Sequence, residues 1–190
     1  MRATLKPRKC AACNAVFTPG RSMQRVCSVA CSIVHVRKLA DKKAARAKRD
    51  ERKSLREALE KAKTRGTHLR ELQAAFNAWI RCRDAGLPCI SCGRPASWQG
   101  QWDAGHFMSR GSSPALRFDP ANVHKQCLPC NRHLSGDLVR YRVNLVKKIG
   151  LAEVERLEGP HQPLKLTLAE IIEAKQFYRA EVRRMKREAA

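Results

Sequence analysis

Apolar residues recur along this chain in two rhythms. Leu69, Leu72, Phe76, Trp79 and Ile80 fall at the three-and-four spacing of one helix face. They predict a helix over 67–85, with Thr67 as its N-cap and Gly86 and Pro88 as its stop. The same rhythm returns in Leu138, Val139, Tyr141, Leu145, Val146 and Ile149 and ends at Gly150. A short helix follows through Leu151, Val154 and Leu157 until Pro160 and Pro163 break it. Thr167 and Glu170 stand in the relation of a capping box. They open a last helix with the stripe Leu168, Ile171, Ile172, Tyr178, Val182 and Met185, and Lys175 joins it by its stem. Segment 87–135 lacks that period and is rich in turn residues. It predicts a β-hairpin: a strand over 98–107, a long loop over 108–120, a returning strand over 121–126, and a helix starting near Cys127.

Two stretches follow neither rhythm. In 36–66 Lys, Arg, Ala and Glu dominate, and Leu39, Leu55 and Leu59 are too few for a core stripe. High helix propensity predicts an exposed basic helix, or a segment that orders on DNA; a solvated spacer is the plain alternative. Residues 1–35 form a small cysteine unit. Pro19-Gly20 marks a turn, and Val16, Phe17 and Val26 suit a short hairpin with a minimal apolar cap. The expected organisation is therefore the cysteine unit at 1–35, a basic linker at 36–66, a core at 67–150, and C-terminal helices at 151–190.

Charge narrows the function classes. The 190 residues carry 39 Lys+Arg against 17 Asp+Glu, a formal charge of +22. Such self-repulsion favours a polyanionic partner, and nucleic acid is the usual one. No run is long and apolar enough to span a bilayer, and the basic start lacks the apolar stretch of a secretory signal. The expectation is no membrane partner.

Eight of the nine cysteines come in close pairs: Cys10 and Cys13, Cys27 and Cys31, Cys89 and Cys92, Cys127 and Cys130. Two such pairs supply the four thiolates of a tetrahedral zinc site, so two structural Zn2+ sites are expected. Disulfides are disfavoured in a reducing compartment. Cys82 is left over and reads as a small buried hydrophobe.

The chemistry-bearing stretch runs from Asp103 through His106 to Asn122 and then Asn131. A histidine on the first strand, an asparagine on the second and an oxygen ligand at the following helix make a ββα-metal constellation. The cysteine pairs bracket it. Phosphodiester hydrolysis needs a base to deprotonate water, which a neutral imidazole does near pH 7. It also needs a hard divalent ion, which prefers carbonyl and carboxylate oxygens to thiolates.

That stretch resembles an HNH (His-Me finger) endonuclease with cysteine knuckles. The resemblance implies that His106 is the general base, that Asn122 holds the hairpin loop, and that Asn131 binds the catalytic Mg2+ or Mn2+. One departure stands out. Many HNH enzymes carry a metal-binding Asp or His immediately before the base; here that residue is Gly105, and the nearest acid is Asp103, which either reaches the catalytic ion after a bulge or leaves Asn131 as the ion's one protein ligand. The runs Gly105-His106-Phe107-Met108-Ser109-Arg110-Gly111 and Cys130-Asn131-Arg132-His133-Leu134-Ser135-Gly136 are similar to the lambdoid phage NinG, or Rap recombination endonuclease, family. So are Arg117-Phe118, Tyr141-Arg142 and the opening knuckles with Phe17-Thr18-Pro19. The similarity covers essentially the whole chain. It implies an endonuclease in the host cytoplasm that cuts branched double-stranded DNA such as Holliday junctions and D-loops. Paired cuts across a junction would need a homodimer.

The fold class expected is α+β: a ββα-metal core on cysteine knuckles, flanked by helices. Arg110, Arg117 and Arg132 are expected to meet phosphate. His124 shares Asn122's strand face and either approaches the site or lies exposed. The rival reading is a non-enzymatic, zinc-dependent DNA-binding recombination adaptor, which leaves the alignment of His106, Asn122 and Asn131 without a purpose.

Overall fold

A computed structural model describes residues 5–189. The chain divides into two compact units, residues 1–63 and 64–190.

In the first unit β1 (Arg8–Lys9) pairs antiparallel with β2 (Val16–Phe17). The expected hairpin is present but minimal. Its apolar cap is not, because Val16 is exposed and Val26 belongs to neither strand. Helix α1 (Val29–Ala62) begins earlier than the basic linker was expected to. Ser28 caps it by accepting from the Cys31 amide at 3.2 Å, so the second cysteine knuckle rides on the helix start. None of α1's 34 residues is buried.

The second unit opens with α2 (Arg65–Arg83). Its N-cap is Thr64, not Thr67: the Thr64 hydroxyl accepts from the Thr67 amide. Gly66 then falls in the first turn, where its conformational cost is easily tolerated. β3 (Trp102–His106) and β4 (Val123–Cys127) form the expected antiparallel hairpin, with β3 shorter than the pattern suggested. The loop between them holds one 3₁₀ turn, Pro114–Leu116. A π-helical turn (Pro129–His133) follows, then α3 (Leu138–Ile149), α4 (Leu151–Glu158) and α5 (Leu168–Glu188). The expected helix from Cys127 is thus a single wide turn. Ser135, Gly136 and Asp137, all with positive φ, carry the chain out of it. The capping box of Thr167 and Glu170 is formed.

Three clusters position the site. Phe76 and Ile80 of α2 pack on Ala104 and Val123 of the hairpin, with Tyr178 of α5 against them. Phe107, Leu116, Tyr141, Leu145, Val154 and Leu157 close the other side. Trp98 and Trp102 pack on the second cysteine group. The hairpin is thereby held between α2 and α3. No helix among the described residues is long and apolar enough to cross a membrane.

Candidate functional site

The eight paired cysteines gather into two tetrads, and the four sulfurs of each lie within 4.8 Å of one another. Cys13 to Cys27 is 3.7 Å, Cys27 to Cys31 is 3.5 Å, and Cys92 to Cys127 is 3.8 Å between sulfurs. A zinc–sulfur bond of about 2.3 Å puts tetrahedral sulfurs about 3.8 Å apart, so the spacing suits zinc and is far too long for disulfides. Charge argues the same way. Backbone N–H groups, first that of Cys13, bring Cys10 down to about 6, while the neighbouring Cys31 and Cys10 sulfurs push Cys27 up to about 12. Four thiolates this close need a cation between them. Cys82 lies outside both tetrads and is half-buried.

The second tetrad frames the hairpin. Cys89 and Cys92 lie before β3, Cys127 ends β4, and Cys130 sits in the π-helical turn with Asn131. Cross-strand pairing sets Asp103 opposite Gln126, Gly105 opposite His124, and His106 opposite Val123. Strand alternation puts Asp103 and His106 on opposite faces. Both nevertheless line one polar cleft of about 350 Å³ along β3, together with Asn131, Arg132 and Arg110.

His106 Nε2 lies 3.1 Å from the Arg117 carbonyl. A carbonyl only accepts, so Nε2 carries the proton and Nδ1 keeps its lone pair. Burial lowers the imidazole's pKa, the Arg117 carbonyl opposes this, and the charges of Arg110 and Arg117 lower it further. His106 is therefore neutral over a wider pH range than a free histidine. Asn122, fully buried, holds the loop that follows. Its Oδ1 accepts from the Met108 amide at 2.7 Å, and its Nδ2 donates to the Met108 and Leu116 carbonyls.

Asp103 and Asn131 meet directly: Asn131 Nδ2 donates to Asp103 Oδ2 at 2.9 Å. Arg132 forks onto the same carboxylate at 2.8 and 3.2 Å. Burial works against the Asp103 charge, but hydrogen bonds from Arg132 and Asn131 outweigh it and hold the carboxyl below the usual range. The carboxylate and the Asn131 amide oxygen are a hard donor pair of the kind Mg2+ or Mn2+ takes.

The packing around Gly105 leaves no room for an acid immediately before His106. A Cβ there would lie 2.0 Å from Gln126 Oε1. Gln126 is fully buried, and its Nε2 donates to Ser91 Oγ and to the Gly136 carbonyl. Its amide fills the space a side chain at 105 would need. Tyr141 donates to the Gly105 carbonyl at 2.9 Å and fixes the same strand position from α3.

Two expectations about side chains change. Arg117 does not extend freely: its Nε donates to Gln73 Oε1 at 2.7 Å, which ties the loop to α2. His124 is neither in the cleft nor exposed. It is buried, with Nδ1 accepting from Arg83 and Lys148 at 2.9 Å each and Nε2 donating to the Ala121 carbonyl. Asn77 and Arg81 of α2 also line the cleft. Their four-residue spacing beside the Phe76–Ile80 core stripe is the signal that could have found them.

Comparison with known proteins adds the following. The sequence model of the family described as "NinG: Bacteriophage Lambda NinG protein" matches residues 2–188. Protein ninG of Salmonella phage P22 is 46% identical over 121 residues, covering 64% of this chain and 59% of that protein. Protein ninG of Escherichia phage lambda is 44% identical over 121 residues, covering 64% and 58% respectively. The chain thus spans about three-fifths of the length of the curated relatives it matches. No solved structure matches.

Proposed function

The chain belongs to the NinG family of lambdoid phage proteins, and from that premise we propose that it is a divalent-metal-dependent, HNH-type endonuclease acting on branched DNA. The observation that carries this reading is the convergence of His106, Asp103 and Asn131 on one cleft rimmed by Arg81, Arg110 and Arg132.

His106 Nδ1 takes the proton from the attacking water, and the Arg117 carbonyl keeps the imidazole in the tautomer that allows it. Asn122 positions this arrangement through the loop. The rim arginines bind and orient the phosphodiester. Asp103 and Asn131 would hold Mg2+ or Mn2+, which supplies charge stabilisation for the phosphate and the departing oxygen. Asn131 must first turn its amide oxygen toward the cleft, because Nδ2 now faces Asp103. Arg132 must leave the Asp103 carboxylate, and substrate phosphate is its natural new partner. In-line attack breaks the P–O3′ bond and leaves 3′-hydroxyl and 5′-phosphate ends. The two tetrads hold structural zinc in this reading, the site of action is the host cytoplasm, and cutting both strands of a junction calls for a homodimer.

The test is a nicking assay on matched linear and four-way DNA, with Mg2+, Mn2+ or neither added. Cleavage that requires the ion, with Asp103→Asn and Asn131→Ala raising the ion concentration needed, supports the reading. Binding without cleavage under every ion would favour the adaptor.

A further inference from the structure

A second cavity, of about 320 Å³, lies at the other edge of the hairpin. It borders β4 and the 84–93 segment, whereas the His106 cleft borders β3, and the two share no lining residue. Its volume is at the small end of the range for ligand pockets, about 300–1,000 Å³. Its walls are largely apolar, formed by Leu87, Pro88 and Ile90, while Lys125, Lys147 and Lys148 surround them.

Basic groups crowd the edge of this cavity. Asp84, buried, is its one carboxylate. Arg83 takes both oxygens of Asp84 at 2.9 and 2.8 Å. Lys148 approaches the same carboxylate at 3.3 Å, and the buried Lys125 gives its Nζ to the Ala85 carbonyl at 2.7 Å. His124 adds no negative charge; its Nδ1 only accepts from Arg83 and Lys148. Three cations therefore gather about one carboxylate, and Cys89 of the second tetrad also borders the cavity. Burial, with repulsion from Arg83 and Lys125, lowers the Lys148 pKa although Asp84 opposes this. Of these cations only Lys125 is buried; Arg83 is half-buried, and Lys148, like its neighbour Lys147, is exposed and open to an anion.

We propose that this cavity is a second nucleic-acid site that takes one unpaired nucleotide, the base entering among Leu87, Pro88 and Ile90 and the phosphate meeting Lys147 and Lys148. A bare phosphate would leave the apolar walls unused, and an uncharged apolar molecule would leave the lysines unused. A nucleotide uses both. Asn144 donates both protons of Nδ2 to the Ile90 and Ser91 carbonyls at 2.9 Å, which leaves its Oδ1 as an acceptor for a base edge. Continuous duplex keeps its bases stacked and paired, whereas extruding a base costs less where a branch or bulge interrupts stacking. The site thus gives the protein a physical means of telling a branch from a plain duplex. The inference rests on DNA being the substrate but not on His106 chemistry.

The experiment measures binding only, by fluorescence anisotropy of zinc-loaded protein without added Mg2+ or Mn2+, so that loss of nuclease activity does not affect the result. The probes are a matched duplex, the same duplex with one bulged nucleotide, and the same bulge lacking its base. The full chain should prefer the bulged duplex by about tenfold, the size of one base contact. The base-free bulge should lose most of that preference. Leu87→Gln should abolish it while changing matched-duplex affinity less than about twofold, which also reports that the fold is intact. Lys147→Gln should reduce it several-fold. Equal affinity for all three probes, or a bulge preference that survives Leu87→Gln, would overturn the proposal.

Discussion

The two cysteine tetrads have the same ligands and sit in opposite surroundings. In the first only Cys10 is buried; Cys13 and Cys27 are exposed, the hairpin beside them has two residues per strand, and α1 buries nothing. In the second Cys89, Cys127 and Cys130 are buried, with Trp98 and Trp102 packed on them, beside a core that joins α2, the hairpin and α5 and a second that includes α3. The same four sulfurs therefore do different work. In the first unit a bound metal would stand in for a hydrophobic core. In the second it would fix one end of a hairpin that packing already holds, and so set where Asn131 stands relative to β3.

The largest expected effect follows from that contrast. Stripping zinc should remove nearly all folding free energy from the first unit, on the order of 10 kcal/mol. By hydrogen exchange, amides of 5–28 should lose protection completely. Those of α2 and α5 should keep theirs, while β4 near Cys127 loosens. Equal protection loss in both units would erase the distinction.

Next comes the buried ion cluster of the second unit. Asp84→Asn leaves Arg83, Lys125 and Lys148 without their acid and should cost about 3–5 kcal/mol in denaturant titration of that unit. Burial opposes the Asp84 charge, but Arg83 and the Lys125 amide hold its pKa well below the ordinary value. Its stabilisation is thus complete above the ordinary carboxylate range and fades as pH falls toward the depressed value. The variant should lose that acid dependence.

A smaller effect tests how tightly the hairpin is packed. Gly105→Ala drives a Cβ into Gln126 and should cost about 1–3 kcal/mol. Gln126→Ala in the same chain should recover part of this. Gly20→Ala in the first unit, where the nearest atom is 3.7 Å away, should cost little by the same thermal melt.

The smallest effect concerns His106. Its pKa lies below the ordinary 6.5 because of burial, with Arg110 and Arg117 adding to it. On the proposed mechanism a protonated His106 would stop cleavage, so the acid limb of the rate profile should fall below pH 6.5. Arg110→Ala removes a like charge and should move that limb upward.

Much of this organisation is legible in local patterns. Cysteine spacing marks both tetrads, the apolar stripes mark α2 through α5, and His106, Asn122 and Asn131 stand out by type and interval. What the sequence hides is long-range. The Asp103–Asn131–Arg132 contact depends on a π-helical turn that no periodicity announces. His124 turns inward because Arg83 and Asp84, some forty residues earlier, lie beneath it. Arg117 meets Gln73 across a similar gap. Such pairings become visible only once α2 is seen against the hairpin.

The account is tested most directly by the initial rate at which zinc-loaded protein cuts four-way DNA in Mg2+, compared between the parental chain and His106→Ala at equal DNA occupancy. Loss of a general base predicts a drop of about 10²–10⁴-fold with binding and thermal stability retained. Cutting at the parental rate by a folded His106→Ala protein would contradict it.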